Sequence, residues 1–256
     1  MRALRLHLGF TYAFLYIPIT VLMVLSFNKA GLPTAWGGFS VEWYGKLFAN
    51  PKIQSAAWNS FVVALISTAL ATAIGTLLAI GVERARPSPA REALLFAPMV
   101  IPDVVLAIAL LSFFTLLKFS LGLHSIIMAH VVFNIAFVAA VVRARLKGFD
   151  WSLVDASRDL GASQFTTFWR ITFPLILPSV IAAALLAFTL SIDEFIIAYF
   201  TAGAGQSSTT LPMQIYAMIR FGVTPEINAM ATIVILVSFV LVLLAQRMNT
   251  GRIPGA

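Results

Sequence analysis

Six long apolar runs divide this chain, and each of them is long enough to cross a lipid bilayer as a helix. A helix rises about 1.5 Å per residue, so about 20 apolar residues span the hydrocarbon core of a membrane. The runs lack the alternation of polar and apolar positions that membrane-spanning strands show, so they predict helices. The pattern therefore predicts an all-α integral membrane protein that forms a single domain over residues 1–256, with six transmembrane helices at residues 8–27, 61–80, 94–117, 126–142, 175–200 and 229–245.

A patterned polar segment, residues 143–174, separates the fourth run from the fifth. Ser152 and Asp155 have the spacing of a capping box, and Gly161 stands where a helix usually ends. A second short helix is expected to follow and to run into Pro174. Two ordered helices at a membrane surface favour a docking element for a partner protein, and the same pattern also fits an ordinary amphipathic connection between two spans.

The segment between the first two runs, residues 28–60, mixes glycine and proline with aromatic side chains. Aromatic residues are favoured at the level of the lipid headgroups. We therefore expect an ordered loop outside the cytoplasm that contains a short interfacial helix. This loop either anchors the chain at the interface or docks a solute-binding protein.

Charge gives the bundle an orientation. The chain is 60% hydrophobic and only 11% charged, which is far from the average of soluble proteins. Of its 17 Lys and Arg residues, twelve lie at the amino terminus, after the second and fourth runs, and in the carboxyl tail. An excess of Lys and Arg marks the cytoplasmic side, so both termini are expected there. The net charge of +7 is mostly this topological signal, and no nucleic-acid partner is expected.

The sequence contains no chemistry that could supply energy. It has no cysteine, its three histidines (His7, His124 and His130) lack metal-binding spacing, and no Gly-x-x-x-x-Gly-Lys-Ser/Thr loop occurs. We therefore expect neither a metal site nor a catalytic residue, and transport against a gradient would need a partner ATPase or an ion gradient. Internal repeats would support an ion-coupled transporter, but the sequence shows none. A membrane enzyme would need a nucleophile–base pair, and the sequence offers none that is recognisable.

The polar segment carries a spaced motif: Asp155-Ala156-Ser157, three residues, Gly161, nine residues, then Ile171-Thr-Phe-Pro174. This motif resembles the Glu-Ala-Ala loop of bacterial ABC importer permeases, with Asp for Glu, Ser for the second Ala, and Phe for Leu. The resemblance implies a type I ABC importer permease bundle, whose cytoplasmic coupling helix fits a cleft on an ATPase subunit. The ATPase-coupling residues that it implies are Asp155, Ala156, Ser157, Gly161, Ile171 and Pro174.

Other segments resemble the spermidine/putrescine branch of these importers, and in particular the shorter of its two permease subunits. They are residues 101–105, 145–150, 188–194, 210–212 and 222–232. The resemblance implies a second, non-identical permease, an ATPase dimer that binds ATP and Mg, and an extracytoplasmic substrate-binding protein, in the cytoplasmic (inner) membrane of a bacterium. It also implies inward transport of polyamines by alternating access, without a cofactor in this chain. Branches for ferric iron, thiamine or sulfate share the fold, so these solutes stay as alternatives.

Acidic residues within the apolar runs are candidates for a solute path. A charge inside a bilayer is costly and normally faces a cavity, a pathway or a partner charge. Asp103 follows two prolines, which indicates an interrupted helix beside a cavity. Carboxylates would bind the ammonium groups of a polyamine, and aromatic rings its cationic chain. The candidates are therefore Asp103, Asp193, Glu194 and Tyr199. Pairing with a partner's Lys or Arg, or capping of interrupted helices, would explain Asp193 and Glu194 equally well, whereas the flanking prolines favour the pathway for Asp103.

Overall fold

The computed structural model of the chain describes residues 2–31, 35–205, 207–220, 222 and 224–250, and gives no side-chain description for residues 2, 3 and 241–250. Within this part of the chain the secondary structure is helical, and β-pairing is confined to one bridge between Asn28 and Phe39. The predicted all-α class is confirmed. The helices are α1 (Arg2–Leu25), α2 (Glu42–Ala49), α3 (Pro51–Arg84), α4 (Pro89–Val100), α5 (Asp103–Leu116), α6 (Leu123–Leu146), α7 (Ser152–Asp159), α8 (Gln164–Thr167), a π-helix (Phe168–Thr172), α9 (Phe173–Asp193), α10 (Ile196–Thr201), α11 (Leu211–Ile219) and α12 (Pro225–Thr250).

Four helical stretches of the described chain are each long and apolar enough to span a membrane. They cover residues 4–25, 51–84, 123–146 and 164–193. The predicted third span corresponds to the pair α4 and α5, which is bent by 106° and brings the number of spans to five if the pair counts as one. The predicted sixth span overlaps α12, whose described apolar part is Pro225–Val240. The number of six spans stays a prediction.

The bend between α4 and α5 follows from proline. Pro102 has no amide hydrogen, and its ring disfavours helical geometry at the residue before it. Ile101 accordingly has an extended backbone (ψ 131°), and a new helix begins at Asp103. The interruption that the prolines predicted is therefore present.

The predicted fifth span at residues 175–200 is wrong at both ends. The helical stretch already begins at Gln164, and α9 ends at Asp193. Glu194 is extended (ψ 121°), and α10 begins two residues later. Hydrophobicity could not reveal this break, because the sequence after Glu194 is as apolar as the sequence before it.

The structure divides into two compact units, of which the first contains residues 1–56 and 213–247. Every side chain from Leu4 to Val21 in α1 is exposed. A helix that is apolar on all sides belongs in a lipid environment or against other membrane helices. The predicted short helix in the following loop is present as α2.

Asn28 organises the loop between α1 and α2. Its side-chain amide donates to the carbonyl of Ala35 (2.8 Å), and its Oδ1 accepts from the amides of Ala30 (3.1 Å) and Gly37 (2.8 Å). The Trp43 indole donates to the Asn28 carbonyl at 2.8 Å. These bonds tie together the described parts of the loop, residues 26–31 and 35–41, in place of regular secondary structure.

The second unit is built mainly on residues 57–212, and α6 is its central helix. One face of α6, including Val138 and Val142, is buried with Ala79 of α3 and with Ile176 and Ala183 of α9. At its other end α6 packs with α5 and α10 around a second cluster: Leu106, Ala107, Leu110, Phe114, Ala129, Phe133 and Ile197. Small residues let membrane helices approach closely, which explains the alanines in these contacts.

Gly75 marks a close approach of α3 to α6 and generates a test of this packing. A Cβ atom at Gly75 would lie 2.8 Å from Cγ1 of Val138. We expect Gly75→Val to destabilise the protein by roughly 1–3 kcal/mol, because overpacking forces the two helices apart. The matched control is Gly81→Val in the same helix, where a Cβ meets no atom within 4 Å. Thermal unfolding in detergent measures both, and equal midpoints for the two variants would contradict the assignment.

Candidate functional site

The polar segment forms a short helix, α7, whose first turn is capped by Asp150. Oδ1 of Asp150 accepts from the backbone amide of Ser152 at 3.0 Å, and hydrogen bonding from Ser152 holds the pKa of Asp150 below its ordinary value. The predicted capping box of Ser152 with Asp155 is wrong, because Ser152 is already the first helical residue and Trp151 stands at the N-cap position. An aspartate two residues upstream supplies the oxygen instead.

The helix ends at Gly161, as its sequence position indicated. Gly161 is left-handed (φ +85°), and its amide donates to the carbonyl of Arg158 at 2.8 Å. The amide of Ala162 donates to the carbonyl of Ser157 at 3.1 Å. Together these bonds form a Schellman motif, which favours glycine because a side chain is strained at positive φ.

The two faces of α7 differ in environment. Val154 is buried, and the Ser157 hydroxyl lies 3.0 Å from the Thr167 hydroxyl of α8, so α7 is fastened to the start of the next span. Large apolar side chains are exposed at α7 (Leu153, 44% exposed, and Leu160, 89%) and on the stretch that follows it (Phe165 of α8, 73%, and Trp169 of the π-helix, 49%). We call these four side chains the coupling surface, after the role that the motif predicts. An exposed apolar patch of this kind marks an interaction site.

The structure divides the six motif residues between two places. Asp155, Ala156 and Gly161 are exposed on or beside α7, and Ser157 is half-buried. Ile171 instead lies in the π-helix, and Pro174 stands in the first turn of α9.

The π-helix continues the chain directly into the membrane-spanning helix. The amide of Phe173 donates to the carbonyl of Phe168, five residues earlier. Pro174 has no amide for the carbonyl of Arg170, which gives this wider turn a physical reason. The prediction that the second short helix ends at Pro174 is therefore wrong, because the helical stretch runs on to Asp193. Single π turns inside α-helices are frequent at functional sites.

The four candidate path residues lie near the two helix interruptions. Asp103 begins α5 and Asp193 ends α9, and both are exposed. Tyr199 is half exposed and its ring lies 5.4 Å from that of Phe195. Because α5 packs on α10, Asp103 is close enough for its charge to act on Glu194.

Glu194 differs from the other candidates because it is engaged in the fold. Only 8% of its side chain is exposed, and its two oxygens accept from the amides of Ile196 (3.0 Å) and Ala198 (3.1 Å). These are first-turn amides of α10, which have no partner within the helix. Capping of an interrupted helix, one of the two explanations that the sequence left open, describes this side chain.

A buried polar chain beside Glu194 reaches three helices. Nδ1 of His130 is 2.7 Å from the Ser191 hydroxyl, whereas Nε2 of His130 faces Oε2 of Glu194 at 3.8 Å, which is too long for a hydrogen bond, and has no hydrogen-bond partner among the described residues. The Ser191 hydroxyl is 3.0 Å from that of Ser67. We call Ser67, Ser191, His130 and Glu194 the buried chain. It joins α3, α6 and α9 at the break beside Glu194. The sequence position of His130 gave no signal for these contacts, because Ser191 lies 61 residues away.

A metal site finds no support in the described residues, because no three side chains among His, Asp and Glu come together there. The site geometry therefore offers two features: an exposed apolar surface beside a glycine-terminated helix, and exposed carboxylates at two helix breaks. The first suits a protein partner, and the second suits a cation.

Comparison with known proteins places these features in a family. The family described as binding-protein-dependent transport system inner membrane components matches residues 71–252. The spermidine/putrescine transport system permease protein PotC of Escherichia coli K12 is 42% identical over 246 residues, covering 95% of this chain and 92% of PotC. The putrescine transport system permease protein PotI of the same organism is 39% identical over 265 residues, covering 98% and 93%.

The fold agrees with these sequence relationships. A chain of a bacterial ABC transporter involved in alginate import superimposes with a TM-score of 0.78 at 17% identity, covering 99% of this chain and 96% of that chain. The helical bundle is thus that of an ABC importer permease. The chain belongs to the inner-membrane components of binding-protein-dependent transport systems and, within them, to the spermidine/putrescine permeases. It is a bacterial inner-membrane transport component and no enzyme, and the ion-coupled alternative is set aside.

The buried chain generates a test of the break at Glu194. His130→Leu removes the ring that faces Glu194 and leaves Ser191 with one partner fewer. Losing a buried hydrogen-bond partner costs about 1–3 kcal/mol, so we expect a lower unfolding temperature and faster hydrogen exchange at Ile196 and Ala198. His124→Gln is the control, because His124 is exposed, its hydrogen bonds among the described residues are to Ser120, and its ring contacts Phe119 at the surface, away from Glu194. Wild-type exchange at both amides in His130→Leu would show that the chain does not support the break.

Proposed function

We propose that this chain is the membrane-spanning permease subunit of an ATP-driven importer of polyamines, spermidine or putrescine. The observation that carries the proposal is the similarity to polyamine permeases along 95% of the chain. The solute moves inward by alternating access, and a partner ATPase dimer binds ATP and Mg and hydrolyses the nucleotide. A second, non-identical permease and an extracytoplasmic substrate-binding protein complete the complex, with both termini of this chain in the cytoplasm.

The coupling surface is the docking site for the ATPase. Its exposed apolar side chains would be buried by a protein partner, and burial of apolar area stabilises association. Asp155, Ala156, Ser157 and Gly161 shape this contact, and Ile171 and Pro174 transmit its displacement to α9. The Ser157–Thr167 hydrogen bond supports this role, because it fastens α7 to α8.

The solute path uses the exposed carboxylates at the two helix breaks. An ammonium group that leaves water needs a charged acceptor to replace its hydration, and charge-assisted bonds are about twice as strong as neutral ones. Asp103 and Asp193 are free to supply such bonds, and the half-exposed ring of Tyr199 offers a face for cation–π contact. Glu194 contributes by holding α10 in place. An anionic solute such as sulfate would be repelled by this arrangement.

The proposal is tested by ATP hydrolysis of the reconstituted complex. Vesicles contain both permeases and the ATPase, and the binding protein is added with spermidine, putrescine, ferric ion, thiamine or sulfate. Stimulation by the two polyamines alone supports the proposal. Stimulation by ferric ion or thiamine alone would reassign the solute while leaving the family intact.

Gly161 provides the test of coupling. Gly161→Val should lower polyamine-stimulated ATP hydrolysis severalfold, because a non-glycine residue at positive φ costs about 1–3 kcal/mol and redirects the exit of α7. Membrane insertion should be unchanged, since the substitution lies outside the spans. Gly148→Val is the control, because Gly148 lies in the same segment without a positive φ. Hydrolysis at the wild-type rate in Gly161→Val would remove the coupling role.

The carboxylates are tested one at a time. Asp103→Asn and Asp193→Asn should each raise the KM of spermidine uptake about tenfold, which corresponds to a loss of about 1.4 kcal/mol. Their unfolding temperatures should stay at the wild-type value, since both side chains are exposed. Glu194→Gln should instead lower the unfolding temperature, because an amide has one oxygen where the carboxylate uses two. Glu42→Gln is the control, an exposed carboxylate paired with Lys46. A wild-type KM in both aspartate variants would place the path elsewhere.

A further inference from the structure

A pocket lies where the end of α3, the coupling helix α7 and the start of the 164–193 stretch meet. Arg84 and Arg158 line it together with Gln164, and Thr167 and Thr172 are its buried hydroxyl-bearing residues. Ile80 and Phe168 form apolar parts of its wall. None of the six motif residues and none of the four path residues lines the pocket, and its Thr167 bonds to Ser157 of the motif.

The arginines of this pocket have no counter-ion in the described chain. Arg84 lies over the ring of Trp151, with its guanidinium carbon 5.3 Å from the ring centre, and a stacked guanidinium keeps its N–H edges available. Arg158 forms no ion pair with Asp155 or Asp159 of its own helix within the part that the structure describes.

Other charges on the same side are satisfied. Arg143 donates to Glu83 at 3.1 Å and to Glu92 at 3.0 Å, and its guanidinium faces the ring of Phe96. Glu83 precedes Arg84 directly, yet its carboxylate is taken by Arg143. Glu83 and Glu92 thus neutralise Arg143, and no carboxylate of the described residues forms an ion pair with Arg84 or Arg158.

The chemistry of the lining calls for an anion rich in oxygen. Two guanidinium groups present N–H donors in a planar fork that matches phosphate, and the Gln164 amide adds further donors. The hydroxyl groups of threonine can donate as well. Basic pockets between helices at the basic side of a membrane protein bind the headgroups of anionic lipids.

We propose that this pocket binds the phosphate of an anionic phospholipid, such as phosphatidylglycerol or cardiolipin. Two observations favour a lipid over free phosphate: Arg84 is the last residue of a membrane-spanning helix, and Ile80 and Phe168 give the pocket an apolar wall beside its donors. The bound headgroup bridges α3 to α7 and so steadies the helix that carries the coupling surface. The binding itself does not depend on which solute is transported.

The test compares lipids on the purified full chain in detergent. Phosphatidylglycerol should raise the unfolding temperature, whereas phosphatidylcholine and inorganic phosphate at equal concentration should not. The double variant Arg84→Gln with Arg158→Gln should bind phosphatidylglycerol at least roughly tenfold more weakly, because it loses charge-assisted bonds. Arg145→Gln is the control; Arg145 is exposed on the same basic side but does not line the pocket.

The opposite outcomes are equally defined. An equal effect of phosphatidylcholine, or an undiminished effect in the double variant, would overturn the proposal. A rise produced by inorganic phosphate alone would overturn the lipid assignment. Arg84→Lys serves as a second variant in case the double variant does not fold, because it keeps the charge at residue 84 and loses the planar fork. Native mass spectrometry of Arg84→Lys should show weaker retention of phosphatidylglycerol than in the wild type, and equal retention would contradict the proposal.

Discussion

The constraint on which this structure depends is that lipid offers no hydrogen bonds to a peptide backbone. Every amide and carbonyl at membrane depth must be satisfied within the protein, which is why the apolar runs are helical. The same constraint makes an interruption costly, and the chain has two of them in its second unit. At the first, proline removes one of the amides that would need a partner. At the second, the carboxylate of Glu194 accepts from two amides that the ended helix cannot serve.

These interruptions give the molecule its chemistry. A helix end exposes backbone groups and a terminal side chain that a continuous helix would not. Asp103 and Asp193 both stand at helix ends. Ser67, Ser191 and His130 join three helices beside one of the breaks, and the Glu194 carboxylate is held there by the amides of Ile196 and Ala198. A fixed carboxylate needs less reorganisation when it meets a cation than a mobile one does.

How far the sequence predicted the structure depends on the range of the interactions involved. The end of α7 at Gly161 and the bend before Asp103 were predictable, because glycine and proline act on their own backbone. The cap of α7 by Asp150 was missed in favour of a capping box, although both are local patterns. The break at Glu194 was hidden by the apolar residues after it. His130 meets Ser191 across 61 residues, and no spacing rule connects positions that only the fold brings together.

The closed ends of α7 have a consequence for how such a protein can change over evolutionary time. Asp150 caps the first turn and the Schellman motif at Gly161 caps the last, so the helix holds its shape with bonds that lie within a dozen residues. Substitutions on its outer side, at Leu153 or Leu160, leave these bonds untouched. The outer residues of α7, which we propose contact the partner, can therefore change during evolution, or be replaced by those of a relative, without any change in the sequence of the spans.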